Sequence, residues 1–232
     1  AFIIDRATRD RLIAEHKSSK ELLKPCLRGR DIKRWRVESK DLWLIFTRRG
    51  IDIKSYPAIH EHLKHFKKQL TPGGPGGRKP GSYKWYEIQD PIAYWKEFEN
   101  HKVVFPDIAD SSEFCWDADG NYLANTAYFL LADKWILSVL NSNAVLWYYR
   151  HICNTIRGGY LRFIRQYVEQ IPIPPATAAQ QADIEKRVVR ILNMKATALP
   201  AKISVLEREI DEIVYKLYNL TKEEIAIVEG KE

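Results

Sequence analysis

The residues of this chain best suited to chemistry are basic side chains set close to aromatic ones. They suit the binding of a polyanion better than the breaking of a bond. Three stretches hold them. Lys24 to Arg36 places six Lys/Arg within thirteen positions, with a glycine among them. Thr71 to Tyr94 opens as a glycine/proline loop carrying Arg78 and Lys79, then runs through Tyr83, Lys84, Trp85 and Tyr86. Arg157-Gly158-Gly159-Tyr160-Leu161-Arg162-Phe163 repeats the mixture on a smaller scale. Arginine and lysine neutralise phosphates or donate to guanine edges, and a glycine/proline loop adapts to a groove. Taken singly, each of these residues is equally well explained as a solvated surface charge.

Patterns for catalysis fail on inspection. Pro106-Asp107 with Glu113 resembles the start of a PD-(D/E)xK nuclease motif, but Phe114 and Cys115 follow the glutamate and no lysine stands where the attacking water would need it. His60-Glu61 begins like HExxH, yet the fifth residue is Lys64. His62 and His65 lie a helical turn apart with no third ligand in view. Asp117, Asp119 and Asn121 resemble an EF-hand start, but Tyr122 replaces the glycine and Tyr128 the chelating glutamate, so a tight turn explains them better. Neither a P-loop ending nor a GxSxG elbow occurs.

The balance of charge supports a polyanionic partner. The 232 residues carry a net charge of +7. Residues 1–100 hold 22 Lys/Arg against 13 Asp/Glu, while the rest of the chain is slightly acidic, so the basic excess is localised. A hydrophobic content of 45% is enough for a real core in one or two domains. Cys26, Cys115 and Cys153 are too far apart for a zinc ribbon or a disulfide framework, and read as reduced thiols of a cytosolic protein. No apolar run of about 18 residues suggests a membrane span. The opening Ala1-Phe2-Ile3-Ile4-Asp5, without methionine, suggests a fragment of something larger.

The elements that must position these residues read as follows. Phe2 to Asp5 is a short strand or helix entry, followed by a helix to Glu15. Asp41 to Phe46 is a buried strand by its apolar run. Pro57 sits at the first turn of a helix whose stripe is Ile59, Leu63, Phe66 and Leu70. Tyr83 to Ile88 reads as a strand after the glycine loop. Val103 to Phe105 and Tyr128 to Leu131 read as strands, and 114–116 with 122–124 as a hairpin about Asp119-Gly120. Lys134 to Tyr149 is helical, broken at Asn141-Ser142-Asn143. Trp43, Trp135 and Trp147 read as core. Ile171-Pro172-Ile173-Pro174-Pro175 is extended and marks a boundary between a domain at 1–175 and a helical tail at 176–232. In the tail, Ile184, Val188 and Ile191 share a face. After Pro200 a heptad-like seam follows through Ile203, Leu206, Ile210, Ile213, Leu217 and Leu220. Thr221 and Glu224 make a capping box for a last helix.

Segments along the whole chain, in order, carry a resemblance. They include ELLKPCLRGRDIKRW, YPAIHEHLKHFKKQL, YKWYEIQD, HKVVFPDI, LSVLNSNAVLWYY, RGGYLRF, QIPIP and IDEIVYKLYNLTKEE. Together they resemble the TaqI-like C-terminal specificity domain, the target-recognition part of adenine-specific DNA methyltransferases and of combined restriction–modification enzymes. The resemblance implies an α+β fold, with a mixed sheet and flanking helices followed by a C-terminal helical hairpin. It implies duplex DNA as partner and an N-terminal methyltransferase domain as neighbour. Asn-Pro-Pro-Tyr and Asn-Pro-Pro-Phe are missing from this sequence. Chemistry is therefore expected in another domain that holds S-adenosylmethionine, and a divalent metal if the parent also cleaves. No cofactor is expected in this chain.

On that reading, grip falls to Arg28, Arg30, Lys33, Arg34, Lys67 and Lys68 as phosphate partners. Choice of sequence falls to Arg78, Lys79, Tyr83, Lys84, Arg157 and Arg162. The helical tail braces the recognition domain, and its seam could also pair two chains. Two other readings stand beside this one. One is a protein-docking module acting through the helices, and the other is a metal-dependent nuclease with an unrecognised site.

Overall fold

A computed structural model describes residues 1–156, 158–194 and 200–231. The chain forms two compact units that do not follow its linear order. The first comprises Ala1–Leu27, Ser39–Asn100 and Asp119–Tyr122; the second comprises Arg28–Glu38, His101–Ala118 and Leu123–Glu232.

In the first unit, Leu42–Ile45 lies between Ile3–Asp5 and Leu23–Leu27, antiparallel to both. The strand begun by Tyr122 completes the sheet at the Leu23–Leu27 edge. Asp5 ends its strand and caps the next helix, Arg6–Glu15, by accepting from the Thr8 amide at 2.8 Å. That helix and Pro57–Lys64 cover the sheet through Leu12, Ile59 and Leu63, all fully buried with Ile4, Leu23 and Ile45. The expected helix over Pro57 to Leu70 is two helices, Pro57–Lys64 and Lys67–Leu70, because the chain leaves helical geometry at Phe66.

Tyr83 to Ile88 is not a strand. It forms turns and bends, because its carbonyls bond to a side chain, Arg78, rather than to a neighbouring strand. Cys115–Asp117 and Tyr122–Leu123 are likewise not hairpin partners, and each joins a different sheet.

In the second unit, Lys102–Pro106 is the middle strand between Ala127–Leu130 and Cys115–Asp117, antiparallel to both. Lys102 and Asp117 form an ion pair at 2.5 Å with both side chains at most 1% exposed. A second sheet has Tyr160–Arg162 between Ile108–Ala109 and Thr155–Ile156. A small ribbon, Ile32–Lys33 with Arg36–Val37, turns at Trp35, whose φ is +67°. The Trp35 amide bonds the Phe114 carbonyl at 3.0 Å and its indole N–H bonds Glu207 at 2.7 Å, which holds this strained turn.

The break at Asn141-Ser142 is as the sequence suggests, with helices Lys134–Leu140 and Asn143–Ile152. Asn141 is fully buried because its amide exchanges two hydrogen bonds with the Phe114 backbone. Ser142 caps the second helix.

The α+β class and the C-terminal helices match the expectation, but the boundary at residue 175 does not coincide with the compact units. Helices Ala178–Asn193 and Pro200–Leu217 share one core with Trp135, Leu137, Val139 and Phe163. The seam residues Leu206 and Ile210 are buried there, joined by Val214, so this surface is covered within the same unit. Trp147 is 38% exposed rather than core, since it lies on the outer face of its helix.

Candidate nucleic-acid interface

The first unit holds 17 Lys/Arg against 12 Asp/Glu, so most of the net charge lies there. Its glycine/proline loop is organised from inside by Arg78. Nε donates to the Leu70 carbonyl at 2.9 Å and Nη1 to Glu87 at 2.7 Å. Nη2 donates to Trp85 at 3.0 Å and Lys84 at 3.3 Å. The guanidinium lies 4.6 Å from the Tyr83 ring centre and 5.3 Å from that of Phe2. Burial lowers its pKa from the ordinary arginine value. Every nitrogen of this group is engaged with the protein, so Arg78 organises the loop from within. Tyr83 is corrected in the same way. It is 5% exposed and its hydroxyl donates to the Lys79 carbonyl, because its ring forms the inner wall of the loop.

The loop's outer face carries other cations. Lys79 is exposed and makes no ion pair or side-chain hydrogen bond among the described residues. Lys84 is also exposed, with its ammonium 5.7 Å from the Tyr86 ring centre. A hydrogen bond with Tyr86 raises its pKa. Lys67 sits 5.5 Å from the Trp85 ring centre, and Lys68 stands exposed beside it. His60 meets the same two rings, at 5.5 Å from Trp85 and 6.3 Å from Tyr86. Lys67, Lys84, Trp85, Tyr86 and His60 thus form one cation–aromatic surface, of the kind that meets phosphates and sugar or base faces. His60 and the role of Tyr86 were missed by sequence reasoning. His60 lies on helix Pro57–Lys64 and Lys67 opens the next helix after the break at Phe66, so no single helical period in the sequence brings them together.

The second unit carries a groove of about 370 Å³. Arg30 and Lys33 line it with Asp107, Asp110, Glu113 and Tyr160. The fold has already engaged several of the basic residues nearby. Arg28 grips Asp31 with two bonds, 2.9 and 2.8 Å, and so closes the 3₁₀ turn Gly29–Asp31. That contact helps hold the Asp31 carboxyl below its ordinary pKa against the opposing effect of burial. Arg34 bonds Glu207 of helix Pro200–Leu217 at 2.5 Å, tying the ribbon to the C-terminal helices. Lys33 pairs with Glu113 at 3.3 Å, and Arg162 with Asp107 at 3.0 Å. Arg28 and Arg34 are therefore structural ties, whereas Lys33 and Arg162 stay partly exposed and Lys33 lines the groove. Arg30 alone of this group is exposed without an ion pair among the described residues. Arg157 lies outside the described residues; the glycines after it, Gly158 and Gly159, adopt φ of +91° and +79° at a hairpin tip that presents Tyr160.

The nuclease lookalike gains a lysine in three dimensions, since Lys33 reaches Glu113. Both carboxylates of that pattern are nevertheless paired with cations, and among the described residues no group of three His, Cys, Asp or Glu is placed to hold a metal. No described helix is long and apolar enough to cross a membrane.

Comparison with known proteins places this geometry. The TaqI-like C-terminal specificity domain matches residues 24–173. Type II methyltransferase M.XhoI of Xanthomonas vasicola is 25% identical over 182 residues, covering 77% of this chain and 31% of that protein. Type II methyltransferase M.PaeR7I of Pseudomonas aeruginosa is 25% identical over 184 residues, covering 78% and 30%. Type II methyltransferase M.BstVI of Geobacillus stearothermophilus is 21% identical over 216 residues, covering 90% and 36%. The chain thus spans about a third of the length of these relatives. Among solved structures, the Type IIL restriction-modification enzyme MmeI in complex with DNA matches with a TM-score of 0.70 at 16% identity, over 97% of this chain and 32% of that one.

Proposed function

We propose a function from one premise: this chain belongs to the TaqI-like C-terminal specificity domain family. It is a sequence-specific recognition module for double-stranded DNA, and it leaves bond making to domains outside it. The whole protein is an adenine-N6 DNA methyltransferase of a restriction–modification system. Its N-terminal methyltransferase domain is this module's partner and holds S-adenosylmethionine, with a divalent metal where the protein also cleaves. The chain itself is not an enzyme and works in the cytoplasm.

The observation that carries this reading is the division of labour among the basic side chains. Arg28, Arg34 and Arg78 are tied to protein acceptors, whereas Arg30, Lys68 and Lys79 point outward with no ion pair among the described residues. A methyltransferase must rotate its base out of the duplex, so a separate surface has to hold the flanking DNA. Lys67, Lys68, Lys79 and Lys84 supply the phosphate contacts, while the Arg30 groove and the Tyr160 hairpin address the bases.

The test is selection of bound duplexes from a randomised pool, followed by anisotropy across a salt series. An enriched motif of a few base pairs, with log Kd rising steeply with log salt, is the expected result. Tight binding with neither motif nor salt dependence would refute it. A docking role for the C-terminal helices is the second reading. It is favoured by an apolar hollow of about 230 Å³ lined by Trp147, Tyr148, Pro172 and Ile227. Binding to duplex DNA no stronger than to an acidic peptide would favour it.

A further inference from the structure

The sequence alone put Arg30 among the phosphate-gripping residues, but its surroundings argue otherwise. Its backbone is fixed from three sides. Arg28 and Asp31 flank it and lock together through both the Arg28 side chain and the Arg28 amide, which donates to Asp31 at 2.9 Å. The Gly29 amide donates to Thr126 Oγ1 at 2.9 Å. A Cβ on Gly29 would stand 2.3 Å from the Thr126 carbonyl oxygen, so this turn is pressed against its neighbour as closely as a backbone can be. The arginine on a clamped turn loses little backbone freedom when its side chain binds, which favours exact placement over general attraction.

The groove into which it looks has an acidic floor. Asp107 is balanced by Arg162 and Glu113 by Lys33, but Asp110 is exposed and among the described residues has only the Ser111 hydroxyl, at 3.0 Å. A phosphate entering here would meet the Asp110 carboxylate, which makes no ion pair among the described residues. A base edge would not, because an aspartate accepts from the cytosine amino group while an arginine donates to guanine O6 and N7. Tyr160 and Ile108, both 44% exposed, give the groove an apolar wall against which the edge of a base pair can lie.

We propose that this groove reads one G·C base pair in the major groove, with Arg30 donating to guanine and Asp110 accepting from the paired cytosine. The inference rests on the recognition reading above and adds to it the identity of one pair and of its readers. Arg30 is then a specificity-determining residue, and its effect is confined to a single position of the target.

The test compares motifs selected from a randomised duplex pool by the wild-type chain, Arg30→Ala and Asp110→Ala. Thermal melting is followed in parallel to show that the exposed substitutions leave the fold intact. One G·C position should lose its preference in both variants, by on the order of 10- to 100-fold against other pairs. The salt slope of Arg30→Ala should stay unchanged. Replacing that guanine with 7-deazaguanine removes N7, and should weaken the wild type while leaving Arg30→Ala nearly indifferent. An unchanged motif, with uniform loss of affinity and a salt slope shallower by about one contact, would make Arg30 a phosphate clamp and overturn the inference while sparing the recognition reading. A wild-type chain that selects no motif would instead sink the recognition reading, and this inference with it.

Discussion

Arg78 and Lys79 are neighbours in sequence with opposite expected behaviour, and exchanging each for alanine tests how the loop works. Arg78→Ala removes three hydrogen bonds of 2.7–3.0 Å and a longer one of 3.3 Å, all to backbone carbonyls. A hydrogen bond from a charged donor contributes roughly 1.5 kcal/mol or more net, and an orphaned buried carbonyl costs a further 1 kcal/mol or so. Discounting for partial exposure of the group, the loss comes to about 3–5 kcal/mol. For a unit of under a hundred residues each kcal/mol moves Tm by roughly 4–8 °C, so the first unit should melt well over 10 °C lower. Its loop should also become open to protease between Thr71 and Ile88. Lys79→Ala should leave Tm unchanged and make the salt slope of DNA binding shallower by about one phosphate contact. Calorimetry and limited proteolysis read the first effect, and anisotropy reads the second. Arg78→Ala with wild-type melting and protease resistance, and with a lost base preference, would refute the reasoning, since the guanidinium would then be facing DNA.

Two further perturbations probe the scaffold of the second unit. Lys102→Met removes the cation paired with the buried Asp117 carboxylate, and should cost about 3–5 kcal/mol in urea unfolding; adding Asp117→Leu should recover much of that loss. A double mutant no better than the single would show that the pair is not the source of the cost. Asp211, on helix Pro200–Leu217, accepts from the Asn143 amide at 2.8 Å and from its side chain at 2.9 Å. Burial nevertheless pushes its pKa up to about 6. The folded state holds this proton more tightly than the unfolded one does, so its contribution to stability is greatest below about pH 4 and is lost as pH rises toward 6. The loss is on the order of 3 kcal/mol, and Asp211→Asn should flatten that part of the pH profile. A variant that keeps the wild-type slope would assign it to another group.

The segments most legible in the sequence were those whose pattern and burial agree. Leu42–Ile45 and Val103 to Phe105 are apolar runs that lie in the middle of sheets. The Asn141-Ser142 break was equally plain, because a buried amide and a capping hydroxyl have few other places to go. Tyr83 to Ile88 misled because aromatic content is shared by strands and by turns wrapped round an arginine. Ile171 to Pro175 is extended, as prolines require, and the helices after it pack in the core that also holds Trp35 and Val103. A composition break marks a change of local structure, and only long-range contacts decide whether it is also the edge of a unit.

The same distinction governs the basic residues. Sequence can find a cluster such as Arg28, Arg30, Lys33 and Arg34, but its members differ only in their acceptors, and those come from residues as distant as Glu113 and Glu207. Arg28 has its acceptor three residues away, at a spacing common on any surface. What separates Arg30 is that its guanidinium makes no ion pair among the described residues, while Arg28, Gly29 and Asp31 around it are bonded. A basic side chain engaged by the fold raises stability and adds little to the salt slope of DNA binding, while one left over on a rigid turn does little for the fold and acts when a ligand arrives. Recognition residues in a domain like this are therefore found by subtracting from the basic residues those the structure already uses.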